Sequence, residues 1–249
     1  MIPYSRALKV VSRSELSEDY LLEDVPILIS DGLADWPAVQ KWRPDNLGTL
    51  APAAKVDVQV SLSGSFRVNP DRTHADLENH TTLRNVSFSQ IAKEILNEEH
   101  SLAKFYVTQQ SIRDRLPELI PDLHCWWPVE ETMLNLWFGS AGVATPLHFD
   151  GPPNLFAQIY GQKRFTIFSP KDTPLLYPYP SDSKMSHVSY VDVENPDPVL
   201  HPKFAEANGI SFVVSAGQML FLPPRWWHHV KSITTSISVN QWLKKANAV

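Results

Sequence analysis

The sequence predicts a mainly β fold, a sandwich or barrel, preceded by mixed α/β elements. Three observations carry this. Short runs of alternating apolar residues recur from Thr132 onward, separated by turns and prolines. The chain holds 21 prolines against 9 glycines, with 8 Trp and 11 Phe, which suits an aromatic β core with proline-punctuated connections. Its 249 residues are 43% hydrophobic and 20% charged, enough for one large β domain and unlike a disordered chain. We read 1–249 as one domain, with a flank over 1–130, a β core over 131–243 and a long connecting insert over 170–208.

The elements follow in order. Ser12-x-x-Glu15 is a capping-box pattern before Leu16. Val25-Pro-Ile-Leu-Ile29 reads as a strand stopped by Asp31-Gly32. Val56, Val58 and Val60 alternate with polar residues, the period of a half-buried strand. Ser87-x-x-Gln90 starts a helix to about Glu98, with Phe88, Ile91, Ile95 and Leu96 as its apolar side. A short strand covers 105–108, and a helix starting at Ser111 is ended by Pro117. In the core, 133–138, 155–160, 164–168, 210–214, 219–222 and 236–242 read as strands. Between Pro170 and Asn208 runs a long proline-rich connection. Its length in a compact domain points to a functional loop that covers a substrate.

Net charge is -5 and the pI is about 6.0, without Lys/Arg runs, so nucleic acid is disfavoured as a partner. Cys125 is the one cysteine, which excludes an intrachain disulfide and fits a reducing compartment. The first ten residues lack an apolar signal region, and no apolar run approaches a membrane span. The expectation is a cytoplasmic protein without a membrane partner.

The chemistry centres on Thr145-Pro-Leu-His-Phe-Asp150. Alternate residues of a strand share a face, so His148 and Asp150 point one way and Phe149 the other. An imidazole and a carboxylate side by side are two metal ligands. The third is sought in Pro223-Pro-Arg-Trp-Trp-His-His229, where His228 and His229 face opposite sides and the pattern does not choose between them. Two histidines and one carboxylate on one face of an octahedron form the facial triad of non-haem Fe(II) oxygenases, leaving room for a bidentate 2-oxo acid and dioxygen.

Tyr160-Gly-Gln-Lys163 reads as a two-residue type II′ hairpin. It would pair Tyr160 with Lys163, Gln158 with Phe165 and Phe156 with Ile167. Asn154, Phe156, Lys163, Phe165 and Ile167 would then share a face. If that face is interior, the lysine needs an anion, which the distal carboxylate of 2-oxoglutarate would supply. In the last strand, Ser236, Ser238, Asn240 and Trp242 form a face that suits a lined cavity.

Trp137-Phe-Gly139, Pro146-Leu-His-Phe-Asp150, Asn154-Leu-Phe-Ala-Gln158, Gly161-Gln-Lys163, Leu176-Tyr-Pro178, Val191-Asp-Val-Glu-Asn-Pro-Asp197, Trp227-His228 and Val239-Asn240 together resemble the JmjC-type (cupin-8) oxygenases, chiefly their asparaginyl and arginyl protein hydroxylases. The likeness runs from about Val25 to Trp242. It implies a double-stranded β-helix (jelly-roll, cupin) core. It implies iron held by His148, Asp150 and His228, selecting the first histidine of the pair. It implies that Lys163, Tyr106 and Thr145 bind the distal carboxylate of 2-oxoglutarate, that Asn154 and Asn240 line the cosubstrate pocket, and that Trp137 and Trp242 lie near substrate.

The implied activity is a dioxygenase (hydroxylase) using Fe(2+), 2-oxoglutarate and O2. Its implied target is a C–H bond, expected in an amino-acid side chain of a protein or peptide. The alternatives are a free small molecule as substrate, N-methyl-lysine demethylation, and a non-catalytic cupin binding module. Gln59 stands where the arginyl hydroxylases have an acidic residue, and His187-Val188 where the asparaginyl enzymes have Arg-Gln, so neither specificity transfers. The chain ends soon after the last core strand, which leads us to expect a monomer or weak dimer.

Overall fold

The computed structural model describes residues 8–16, 24–66, 80–97 and 102–244. Among them thirteen strands, numbered in chain order, form two sheets. The larger runs β1 (Lys9–Val11), β2 (Ile27–Ile29), β11 (Met219–Leu222), β8 (Asn154–Tyr160), β13 (Ser236–Leu243), β6 (Thr132–Gly139), β5 (Lys104–Ser111), β3 (Lys55–Ser61) and β4 (His80–Ser87). The smaller runs β10 (Gly209–Ser215), β9 (Gln162–Phe168), β12 (Trp227–Ser232) and β7 (Ala144–Phe149). From β6 to β13 the chain shuttles between the two sheets, and this is the double-stranded β-helix. Strands β1 to β5 extend its larger sheet.

Alternation along the strands builds the layers. Leu134, Leu136, Phe138, Leu155, Ala157, Ile237 and Val239 face outward from the larger sheet, onto Val56, Val58 and the helix Phe88–Leu96. Between the sheets, Phe156, Phe165, Ile167, Leu220 and Leu222 fill one end. Phe156 and Phe165 meet edge-on at 4.9 Å, and each such burial contributes roughly 1.5–3 kcal/mol. Behind the smaller sheet, Leu147, Phe168 and Trp227 pack on Leu176 and Phe204 of the long connection.

The structure corrects several readings. Strands β8 and β9 do not pair: β8 lies between β11 and β13, and β9 between β10 and β12. Gly161 (φ +75°) turns the chain from one sheet to the other rather than closing a hairpin. Phe156, Lys163 and Phe165 still converge, because the two sheets face each other across the interior. Leu96 is 46% exposed, and Ala92 takes its place on the buried side of its helix. Ser87 caps that helix by accepting from the Gln90 amide at 3.4 Å. The 12–15 segment is a turn in which Glu15 bonds both the amide and the hydroxyl of Ser12; the residues after Leu16 lie outside those described. Strand β4 went unread because its polar sequence sits on an exposed edge.

The connection does cover the core. Phe149 N–H donates to His187 O (3.0 Å) and Ser189 N–H to Leu147 O (2.9 Å), so 187–189 lie along the free edge of β7.

Candidate metal centre

His148 and His228 are register partners on β7 and β12, and Asp150 follows the end of β7. Their ligand atoms lie within 4.8 Å of one another. His148 Nε2 is 3.9 Å from Asp150 Oδ1, and His228 Nε2 is 3.7 Å from Oδ2. Each imidazole is aimed by its other nitrogen: His148 Nδ1 meets Pro146 O at 2.8 Å, and His228 Nδ1 meets Trp226 O at 3.0 Å. A carbonyl accepts only, so Nδ1 carries the proton and Nε2 presents its lone pair to the shared point. Burial, then the neighbouring His228, push His148 down to about 4, so it is neutral at pH 7, as a metal ligand must be. Two such imidazoles and a carboxylate are a donor set that fits a divalent iron.

His229 faces the other way, as alternation on β12 requires. It lines a separate cavity of about 240 Å³ with Asp192, Glu194 and Lys231, which excludes it from the triad.

Asp150 is held by a chain of hydrogen bonds. Trp242 Nε1 (2.9 Å) and Asn154 Nδ2 (3.1 Å) both donate to its Oδ2. Asn240 Nδ2 donates to Asn154 Oδ1 at 3.2 Å. Trp137 Nε1 (2.7 Å) and Asn135 Nδ2 (3.4 Å) donate to Asn240 Oδ1. Asn154 and Asn240 thus orient the carboxylate as well as lining the cavity. Asn135 was missed, although it shares a face with Trp137 on β6.

The triad opens into a cavity of about 390 Å³, which all eleven residues singled out from the sequence line. Lys163 is 1% exposed at its inner end. Its ammonium donates to Ser238 Oγ (2.9 Å) and Tyr106 Oη (3.3 Å) and lies over the Tyr106 and Phe156 rings. Among the described residues no carboxylate pairs with it, and burial lowers it to about 7. Tyr106, hydrogen-bonded to Thr145, has its phenol pushed up by desolvation. An ammonium flanked by two hydroxyl-bearing side chains, with no acid beside it, fits a carboxylate ligand.

Thr145 and His148 both face the cavity although they stand three positions apart, an odd spacing that regular alternation would send to opposite faces. Strand β7 carries one extra residue between Thr145, opposite Val230, and His148, opposite His228. Pro146 lies in that bulge, where its missing N–H costs no ladder bond. The sequence pattern also missed Phe66, Thr108, Gln109 and Met185 on the cavity wall.

A β-helix that gathers two imidazoles and a carboxylate at its open end has the architecture of a cupin whose donor set could hold a metal ion. A model of the cupin-like domain matches residues 13–248, and the chain belongs to this family, in its JmjC-type (cupin-8) branch. It is 32% identical over 238 residues to Lysine-specific demethylase 8 of Xenopus tropicalis, covering 93% of this chain and 51% of that one. It is 33% identical over 246 residues to Lysine-specific demethylase JMJ30 of Arabidopsis thaliana (94% and 54%). It is 28% identical over 254 residues to the human Bifunctional peptidase and (3S)-lysyl hydroxylase JMJD7 (90% and 78%). The chain spans about half the length of the first two relatives.

Proposed function

We propose that this protein is an Fe(II)- and 2-oxoglutarate-dependent dioxygenase that hydroxylates a C–H bond of an amino-acid side chain in a protein or peptide. The observation that carries the reading is one cavity with two complementary ends. A two-histidine, one-carboxylate donor set stands at one, and a buried ammonium without an acidic partner at the other. Iron and 2-oxoglutarate, when bound, would activate dioxygen, which is the oxidant: one of its oxygen atoms enters succinate as 2-oxoglutarate loses carbon dioxide, and the other is inserted into the C–H bond.

The chain's residues do the rest. His148, Asp150 and His228 hold the iron. Lys163, Tyr106 and Thr145 hold the distal carboxylate. Asn154, Asn240 and Trp242 aim Asp150, and the 187–189 segment along β7 shields the site from water. Gln59, Trp137 and Trp242 face the substrate space. The hydroxylase named among the relatives supports the choice of an amino-acid side chain.

The test is succinate formation by the purified protein with Fe(II), 2-oxoglutarate and ascorbate in air. Oxygen-dependent succinate that is lost in His148→Ala and Lys163→Ala is expected. No succinate, together with no visible charge-transfer band when 2-oxoglutarate is titrated anaerobically into the Fe(II) protein, would leave a binding-type cupin as the better account. Two relatives named as lysine-specific demethylases favour a second reading, N-methyl-lysine demethylation by the same centre. Formaldehyde release from methyl-lysine peptides separates it from stable hydroxylation.

A further inference from the structure

Strand β5 does not run regularly past the cavity. Against β6 its register goes from Val107 opposite Phe138 to Gln110 opposite Leu136, so Thr108 and Gln109 together face the single residue Trp137. Gln109 sits at φ +47°, in the left-handed region that favours glycine and strains other residues. The bulge is anchored on its far side. The β3–β5 ladder stops at Gln59 opposite Tyr106, and beyond it the Gln110 carboxamide accepts from Asp57 N–H at 2.7 Å. Thr108 and Gln109, neighbours that a regular strand would turn to opposite faces, consequently both line the cavity. Gln59 joins them from β3.

Among the described residues none of these three side chains has a hydrogen-bond partner within the protein, whereas the polar side chains deeper in the cavity are engaged. The strained bulge thus holds a group of uncharged donors and acceptors at the mouth. Carboxamides pair reciprocally with other amides, one N–H donated and one C=O accepting, and do little to compensate a desolvated cation.

Resting on the oxygenase reading above, we propose that the bulge of β5, with Gln59 beside it, is the specificity wall of the site, and that it recognises an amide group of the substrate. That amide is a main-chain peptide unit next to the oxidised residue or a carboxamide on the residue itself.

The experiment measures succinate above the level without substrate, and product mass. Its probes are acetylated, amidated pentapeptides Ala-Ala-X-Ala-Ala with X as Asn, Gln, Ala, Lys or Arg, together with free asparagine and glutamine. The peptides with X as Asn, Gln or Ala, which bear amides and no side-chain cation, are expected to exceed the Lys and Arg peptides at least tenfold. An Ala peptide equal to the Asn peptide assigns the main chain as the group read; activity confined to Asn and Gln, free amino acids included, assigns the carboxamide. Lys or Arg peptides matching or leading the series would overturn the proposal, as would succinate formation that no probe increases.

Two variants test the residue itself. Gln109→Gly removes the carboxamide where the backbone favours glycine, so folding is preserved or improved; a tenfold rise in KM for the best probe, larger than any fall in kcat, is expected. Gln109→Glu is expected to shift the ranking toward Lys and Arg, which loss of structure alone would not do. An unmoved KM and an unmoved ranking would also overturn the proposal. Absence of both succinate and the anaerobic charge-transfer band strikes the oxygenase reading instead, and this inference falls with it.

Discussion

Single side chains set the electrostatics of the cavity, and Lys163 is the most consequential of them. Burial lowers its pKa from 10.5 in the unfolded chain to about 7. Between those values the unfolded state binds more protons, so the lysine's cost to stability is full below pH 7 and relieved as pH rises toward 10.5. Lys163→Met is therefore expected to raise the Tm of the ligand-free protein at pH 7 and narrow its rise at alkaline pH, while abolishing 2-oxoglutarate binding. Calorimetry and anaerobic titration read the two effects, and a destabilised variant would contradict the burial argument. In the native protein 2-oxoglutarate affinity should weaken as pH climbs above about 7, where the apo ammonium loses its charge.

The hydrogen bonds on Asp150 predict a different loss. Trp242→Phe and Asn154→Leu each remove a donor to Oδ2 and should weaken iron roughly 10–100-fold in chelator competition. His229→Ala, behind the sheet, should leave iron affinity unchanged. His148, Asp150 and Lys163 were legible because their chemistry is local to short motifs. The choice of His228 over His229 came from the family resemblance and not from the pattern, because a pair of adjacent histidines is symmetric until β12 shows which face is interior. The bonds from Pro146 O and Trp226 O were invisible too, since backbone acceptors leave no mark in the side-chain pattern.

At the scale of elements, the site depends on interruptions of regular β structure. Alternation alone grouped Asn154 with Phe156 on β8, Lys163 with Phe165 and Ile167 on β9, and Ser238 with Asn240 and Trp242 on β13, as the structure has them, because these strands have one face toward the interior between the sheets. It could not place Thr145 beside His148, or Thr108 beside Gln109, because a bulge shifts the parity of everything beyond it. The reading of the β8–β9 turn failed for a related reason. The glycine signal was sound, but a tight turn between two strands says nothing about whether they share a sheet. At Gly161 the positive φ of +75° coincides with a close approach to the Thr235 carbonyl, so a Cβ would meet both strain and a clash. Gly161→Ala should cost at least about 1–2 kcal/mol, the left-handed penalty alone. Gly142→Ala, at φ +84° with open space around it, should cost only that penalty. Urea denaturation of the pair separates strain from clash. Equal losses would mean that the sheet crossing at Gly161 yields more readily than its packing indicates.

For the molecule as a whole, the cavity is the part of the β-helix that hydrophobic packing does not fill. Phe156, Phe165, Leu220 and Leu222 close one end of the space between the sheets, and the rest is an open cavity in which the donor set and the ammonium stand among aromatic and apolar walls that do not meet. The two sheets should accordingly be less firmly joined at the open end until ligands span it. In the proposed reading iron ties β12 to the end of β7 within the smaller sheet. The cosubstrate then links that metal to Lys163 on β9 and, through Tyr106, to β5 of the larger sheet. Stabilisation should therefore be sequential. Fe(II) at a hundred times its Kd adds about 2.7 kcal/mol, which for a chain of this size is a rise of about 5–11 °C in Tm. 2-Oxoglutarate should add a comparable second increment only when iron is present, because without the metal it has a single anchor at Lys163. Anaerobic differential scanning fluorimetry of the apo, Fe(II), 2-oxoglutarate and doubly loaded protein resolves the four states. Equal shifts from 2-oxoglutarate with and without iron would mean that the two ends of the cavity act independently and that one ligand does not bridge them.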